Sequence, residues 1–312
     1  MPTPVSPPMP TRLPCRRPFR LATVGATALL LAACSLLPAK TAEAPPKPSR
    51  PVIALALGGG AAKGFAHIGV IKALEAQGIV PDIVVGTSAG SVVGAMYAAG
   101  KNGFELQTLA ISLDESQVSD WSLPDRGVLK GDALAAFINK AVGNATIEKL
   151  PRKFGAVATD LASGEPIVFR SGDTGAAVRA SSSVPGVFQP VAIRGREYVD
   201  GGLVSPVPVR FAREMGANFV IAVDISNKPQ TGRTRSSLDV LLQTFAIMGQ
   251  SLNRNELPQA DIVIRPDISQ LASADFKTRH QAVLEGEKAA AQALPALKAK
   301  LDGWGKPAAA KD

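Results

Sequence analysis

Two stretches of the chain follow the same order, and together they leave few folds open. Val52-Ile53-Ala54-Leu55-Ala56-Leu57 is an unbroken apolar run without alternation, as a strand buried on both faces requires. Gly58-Gly59-Gly60 ends it, and apolar residues at helical spacing run from Phe65 to Gln77, stopped by Gly78. Ile83-Val84-Val85 repeats the pattern: Gly86-Thr87-Ser88-Ala89-Gly90 follows, then small and apolar residues from Ser91 to Ala99. Strand, glycine turn, helix, twice over, predicts successive βα units of a parallel α/β sheet. Loops that follow parallel strands gather at one edge of the sheet. The two glycine turns are therefore expected to meet in space.

The second turn reads Gly-x-Ser-x-Gly between a strand and a helix, the setting of a nucleophile elbow. Glycines at 86 and 90 leave room for a strained turn that lifts the Ser88 hydroxyl out beside the positive end of the next helix. The first turn admits two chemistries, since backbone N–H groups at a helix start suit a phosphate or a developing alkoxide. A phosphate loop wants Gly-Lys-Ser/Thr, whereas Lys63 here precedes Gly64-Phe65. The glycine spacing and the lack of an acidic residue about twenty positions on also disagree with a dinucleotide fingerprint. An oxyanion hole at Gly58, Gly59 and Gly60 is the preferred reading.

A serine needs a base. The 312 residues contain two histidines, His67 and His280. His67 lies one turn into the helix after the glycine loop, where a histidine is more often structural, and His280 reads as a solvated helix start. The order Ser88, Asp200, His280 matches that of α/β-hydrolase triads, but the oxyanion glycines stand too close to the elbow and no strand-end loop presents His280. A carboxylate remains, and Asp200 in Asp200-Gly201-Gly202, after Tyr198-Val199, is the candidate.

The remaining chain is read more coarsely. Gly127 to Gly131 suggests a turn, with Asp132 as the N-cap of a helix. Strands are expected at 154–159 and 166–169 around the turn at Ser163-Gly164, and at 219–224 and 261–266. Val178 to Pro190 reads as a helix end and a loop, and helices are expected at 237–254 and 275–300. No internal repeat is visible. The body is long enough for one sizeable core and at most two domains.

At the N-terminus, Arg12, Arg16, Arg17 and Arg20 precede an apolar segment from Leu21 to Leu31, too short to span a bilayer but suited to a signal sequence. These arginines carry half of the net charge of +8, so the body is only mildly basic. Without a basic run interleaved with aromatics, nucleic-acid binding has little support. Leu31-Ala32-Ala33-Cys34 resembles a bacterial lipobox, which implies cleavage before Cys34, its lipidation and, with Ser35 behind it, delivery to the outer membrane. The expectation is a signal peptide at 1–33, a proline-rich tether at 34–51, a catalytic domain at 52–303 and a tail at 304–312. Cys15 and Cys34 are the only cysteines, so the body has no thiolate metal site.

Four motifs stand in one order. Gly58-Gly59-Gly60-Ala61-Ala62-Lys63-Gly64, Gly86-x-Ser88-x-Gly90, Ser183-x-Pro185-Gly186-Val187-Phe188 and Asp200-Gly201-Gly202 together resemble the bacterial patatin-like phospholipases, as does Ala158 to Gly164. The resemblance covers about 52 to 300. It implies a three-layer α/β/α fold with a mostly parallel sheet, and a dyad of Ser88 as nucleophile and Asp200 as general base. It further implies Gly58, Gly59 and Gly60 at the oxyanion hole, no metal or other cofactor, and a fatty-acyl ester of a (lyso)phospholipid or related lipid as substrate. A silent lipid- or partner-binding lipoprotein, or an acyltransferase on the same scaffold, remain alternatives. With the lipobox, the expected place is the cell envelope, anchored at Cys34 and facing the periplasm.

Overall fold

The computed structural model describes residues 50–305, apart from 115, 117, 119, 121–125, 230–234 and 272–277. These residues belong to one compact unit, Pro48–Asp312. Cys34, the signal segment and most of the tether lie outside the described residues, as do the first positions of the helix expected from 275.

The expected βα units are present. Strand β1 (Ile53–Leu57) leads through a 3₁₀ turn at Ala61–Gly64 into α1 (Phe65–Glu75), and β2 (Ile83–Thr87) leads directly into α2 (Ala89–Ala98). Next come α3 (Gly103–Ser112), β3 (Gly127–Leu129), α4 (Asp132–Ala141), β4 (Lys153–Asp160), β5 (Pro166–Phe169) and α5 (Thr174–Ser181). They are followed by β6 (Gly186–Phe188), β7 (Val191–Ile193), β8 (Arg196–Asp200), α6 (Val209–Glu214) and β9 (Phe219–Val223). The chain closes with α7 (Ser237–Glu256), β10 (Ile262–Ile264) and α8 (Arg279–Asp302).

The main sheet has the order β10-β9-β1-β2-β4-β8-β7, with β5 paired to β4. From β10 to β4 every pairing is parallel; β4–β5, β4–β8 and β7–β8 are antiparallel. Alternation along β1 separates the two faces. Ile53, Leu55 and Leu57 join the core that α1, α2 and α8 cover, while Ala54 and Ala56 join a smaller core with Val209, Phe211 and Ala212 of α6. The result is the three-layer α/β/α arrangement with a mostly parallel sheet.

Helices α1 and α8 meet at two reciprocal glycines. A Cβ on Gly69 would stand 1.9 Å from the Val283 carbonyl oxygen, and one on Gly286 would stand 2.0 Å from that of Ala66. Such close backbone approach fixes the axis of α1, and so the aim of the glycine loop at its start.

Two expectations need correction. Asp132 is the first residue of α4 and caps nothing; Gly131 occupies the cap position with φ 87°. The cap comes from a distance, as the Asp120 carboxylate accepts the N–H groups of Gly131 at 2.6 Å and Ala133 at 3.0 Å. The segment read as a turn at 127–131 contains β3, and the one read as a helix end and a loop at 178–190 does close α5 but then contains β6. These two strands pair in parallel as a second, two-stranded sheet. Neither run is long enough to announce a strand, and only their contact makes one: a Cβ at Gly127 would lie 2.4 Å from the Phe188 carbonyl carbon.

Candidate active site

Ser88 follows the last residue of β2 with φ 52° and ψ −124°, backbone angles that a residue with a side chain adopts only under strain of order 1–3 kcal/mol. The surroundings hold it there. Its N–H donates to the Ser181 hydroxyl oxygen at 2.9 Å, and its carbonyl accepts from the Ser91 N–H and the Ser91 hydroxyl, each at 2.7 Å. Gly86 and Gly90 serve the turn through space. A Cβ on Gly86 would meet the Gly90 oxygen at 2.3 Å, and one on Gly90 would meet the Leu57 oxygen at 2.1 Å.

Asp200 arrives from the antiparallel side of the sheet. Thr87 pairs with Val157 and Asp200 with Ala158, so Ser88 and Asp200 come level with each other across β4. The aspartate is pinned by its neighbours: its N–H donates to the Ser183 carbonyl at 2.9 Å, and its own carbonyl accepts the Thr159 hydroxyl at 2.8 Å. In the carboxyl, Oδ1 accepts the Gly202 N–H at 2.7 Å, while Oδ2 is buried and has no hydrogen-bond partner among the described residues.

Burial raises the Asp200 pKa to about 6, against the opposing pull of the Gly202 N–H and the Ser88 hydroxyl. The hydroxyl is thus close enough to favour the charged carboxylate, yet the two stop short of a formed hydrogen bond. Catalytic hydrogen bonds are often long until substrate binds. A carboxyl with a pKa near 6, only 5% exposed and with one oxygen unpaired, is placed to take a proton.

The glycine loop lies against the elbow, as the topology requires: a Cβ on Gly59 would stand 3.2 Å from that of Ser88. Its three N–H groups do not share one role, and this corrects the expectation for Gly58 and Gly59. The Gly58 N–H donates to Val223 O at 3.0 Å and the Gly59 N–H to Pro206 O at 2.9 Å, so both are already used. These two residues are glycines because the strand end packs too closely for side chains; a Cβ on Gly58 would be 2.9 Å from Val207 Cγ2. Gly60, at the start of the 3₁₀ turn, makes no N–H hydrogen bond among the described residues.

The histidines fall where the sequence suggested. His67 is fully buried and donates from Nε2 to the Gly58 carbonyl at 2.8 Å. Burial lowers its pKa to about 4, so at neutral pH it is an uncharged brace for the loop. His280 is exposed on the first turn of α8, beside Arg279, whose guanidinium binds the carbonyls of Ala110 and Leu113 near the end of α3. Lys63 is only 5% exposed, and burial lowers its pKa. A phosphate loop needs an accessible cation, so that alternative loses support. Among the described residues, no group of three or more His, Cys, Asp or Glu side chains could hold a metal ion.

Sequence reasoning did not single out Ser181, which is fully buried at the end of α5. A buried run Ser181-Ser182-Ser183 closing a helix was the available signal, because adjacent buried hydroxyls need partners.

The Patatin-like phospholipase family model matches residues 55–213, which takes in the glycine loop, the elbow and Asp200. The chain belongs to this family. An uncharacterized NTE family protein of Mycobacterium tuberculosis is 38% identical over 192 residues, covering 61% of this chain and 53% of its own. A patatin-like phospholipase domain-containing protein 6 of Mus musculus is 34% identical over 229 residues, covering 71% of this chain and 16% of its own. The chain thus spans about half the length of the bacterial relatives it matches, and less of the mouse one. Among solved structures, VipD from Legionella pneumophila aligns with a TM-score of 0.52 at 16% identity, over 80% of this chain and 67% of its own, a likeness of fold.

Proposed function

We propose that this protein is a serine acyl hydrolase that cleaves fatty-acyl esters of (lyso)phospholipids or related lipids. Family membership supports the reaction class. The observation that carries the assignment within the chain is a strained Ser88 facing a buried Asp200 whose pKa is raised to about 6. Asp200 takes the Ser88 proton as the hydroxyl oxygen bonds to the ester carbonyl carbon. The Gly60 N–H, which has no acceptor among the described residues and follows the residue packed on Ser88, is the member of the glycine loop that supports the tetrahedral oxyanion. Collapse breaks the ester C–O bond; the alcohol departs with the proton held by Asp200, leaving an acyl-enzyme. Water then attacks the acyl carbon and gives a proton to Asp200; as the bond from that carbon to the Ser88 oxygen breaks, Asp200 passes this proton to Ser88 and the fatty acid is released.

The test is labelling by a fluorophosphonate probe together with hydrolysis of a p-nitrophenyl acyl ester. Wild type should do both, and Ser88→Ala neither, with the rate falling by about 10⁴-fold or more. Equal labelling of the two would overturn the assignment of Ser88.

The lipobox-like Leu31-Ala32-Ala33-Cys34 supports a companion reading, a chain anchored by acyl groups on Cys34 in the outer membrane and facing the periplasm. Cys34→Ser should abolish the acyl mass and release the protein from membranes. Unchanged fractionation with no loss of mass would refute it.

A further inference from the structure

Half of the large hydrophobic side chains left exposed among the described residues stand on one helix, α7: Leu238, Val240, Leu242, Ile247 and Met248, each between 42% and 53% exposed. Leu238 and Leu242 lie on the same helical stripe as Gly249, Asn253 and Glu256, which are buried. The helix therefore carries fully buried positions only in its last turns, and its first three turns are covered only in part. On the opposite side, where a solvent-facing helix carries polar residues, it carries Val240 and Ile247.

The position of this helix is informative. A Cβ on Gly186 would stand 3.0 Å from Leu241 Cδ2 and 3.8 Å from Leu238 Cδ1. The start of α7 thus lies over the segment 183–188, whose first residue accepts the Asp200 N–H. At the other end, Gly249 approaches Pro206, whose carbonyl holds the Gly59 N–H. The apolar face and the candidate catalytic groups share one edge of the sheet.

The charge around the helix selects an occupant. Between Ile225 and Ser236 the chain carries Lys228, Arg233 and Arg235 and no acidic residue. The two carboxylates of α7 are both engaged: Asp239 accepts the N–H groups of Arg235 and Ser236 in the N-terminal cap, and Glu256 is buried and accepts the Ser205 hydroxyl. A basic lead-in followed by three turns of exposed aliphatic residues fits an anionic lipid surface. A second copy of the chain would offer this basic segment no acidic counterpart on the same helix.

We propose that the first three turns of α7 dock on an anionic bilayer and bring the Ser88 edge of the sheet against the lipid from which substrate is drawn. The inference rests on the acyl-hydrolase reading for its purpose, whereas the binding measured below requires no turnover.

The test uses the full chain carrying Cys15→Ser and Cys34→Ser, so that no acyl anchor contributes. Its co-sedimentation with phosphatidylglycerol/phosphatidylethanolamine vesicles is compared with that of a variant also carrying Val240→Ser, Ile247→Ser and Met248→Ser. Loss of three exposed aliphatic side chains should weaken vesicle binding by about tenfold or more. Hydrolysis of a soluble short-chain ester should not change, and hydrolysis of vesicle lipid should fall through KM. Arg235→Gln should weaken binding to anionic vesicles by roughly fivefold and leave neutral vesicles unaffected.

A single Thr244→Cys, labelled with an environment-sensitive dye in the same background, gives a readout that does not depend on how the triple variant folds. Its emission should shift to the blue on vesicles. Equal vesicle binding by triple variant and parent, or an unshifted dye, would overturn the proposal. So would a parent dimer, seen by sedimentation velocity, that becomes monomeric in the triple variant while vesicle binding is unchanged, since the face would then belong to a second copy. Should the protein bind vesicles through α7 yet hydrolyse no ester, the hydrolase reading falls and the docking surface stands.

Discussion

Ser88 and Asp200 stand level on either side of β4, yet the two sides of the sheet hold them by different means. On the parallel side Ser88 is held largely by its own turn, with Ser181 as a distant acceptor for its N–H. Gly86 and Gly90 clear space for the turn, and the Ser88 carbonyl is bound within the first turn of the helix it starts. On the antiparallel side Asp200 closes a strand of five residues, and its place depends on Thr159 and Ser183, both distant in sequence. The strained residue is the one with largely local support, and the residue with an altered pKa is the one with long-range support. Strain requires the chain to be held on both sides of a single bond, whereas desolvation requires other elements to cover the group.

Asp200→Asn tests this contrast most strongly. The carboxylate proposed as the base is lost while size is nearly kept, so hydrolysis should drop by roughly 10²–10⁴-fold. In wild type the kcat/KM profile should lose about tenfold per pH unit below an apparent pKa near 6, where Asp200 takes up its proton. The effect on stability has the opposite sign. A carboxyl whose pKa is raised in the fold binds its proton more tightly there than in the unfolded chain. Its favourable contribution is full below the ordinary aspartate range and is lost as the pH rises through about 6. Asp200→Asn should therefore melt a few degrees above wild type at pH 8 and close to it at pH 4, by calorimetry. A lower Tm at pH 8 would mean that the carboxylate is not a burden on the fold.

Ser181→Ala probes the long-range bond to the Ser88 N–H. Without that hydroxyl the Ser88 N–H loses its acceptor, which costs about 1–3 kcal/mol. We expect kcat on a soluble ester to fall by roughly ten- to a hundredfold with little change in KM, as for a positioning residue. An equal rise in KM with constant kcat would instead place Ser181 in substrate binding.

The smallest effect is expected at His280. His280→Ala should retain activity within about twofold, since the side chain is exposed on a helix start and the serine has a carboxylate facing it. A folded His280→Ala protein as inactive as Ser88→Ala would break the comparison altogether.

Much of this was legible in the sequence because it depends on short spacing. Unbroken aliphatic runs ending in glycine mark buried parallel strands, Gly-x-Ser-x-Gly marks a turn too crowded for side chains, and two histidines in 312 residues narrow the choice of base. The parallel sheet then brings the glycine loop to the elbow by topology alone. What the tertiary structure decided concerns hydrogen bonds and burial between distant segments. Spacing could not show that the Gly58 and Gly59 N–H groups are taken by Val223 and Pro206, that Ser181 reaches Ser88, or that Asp120 caps α4 in place of Asp132. Nor could it show that α7 leaves half its length unburied, since an apolar helix reads the same whether a neighbour covers it or not. A hydrogen bond has one geometry and a buried group one set of neighbours, and both are settled only when every segment has taken its place.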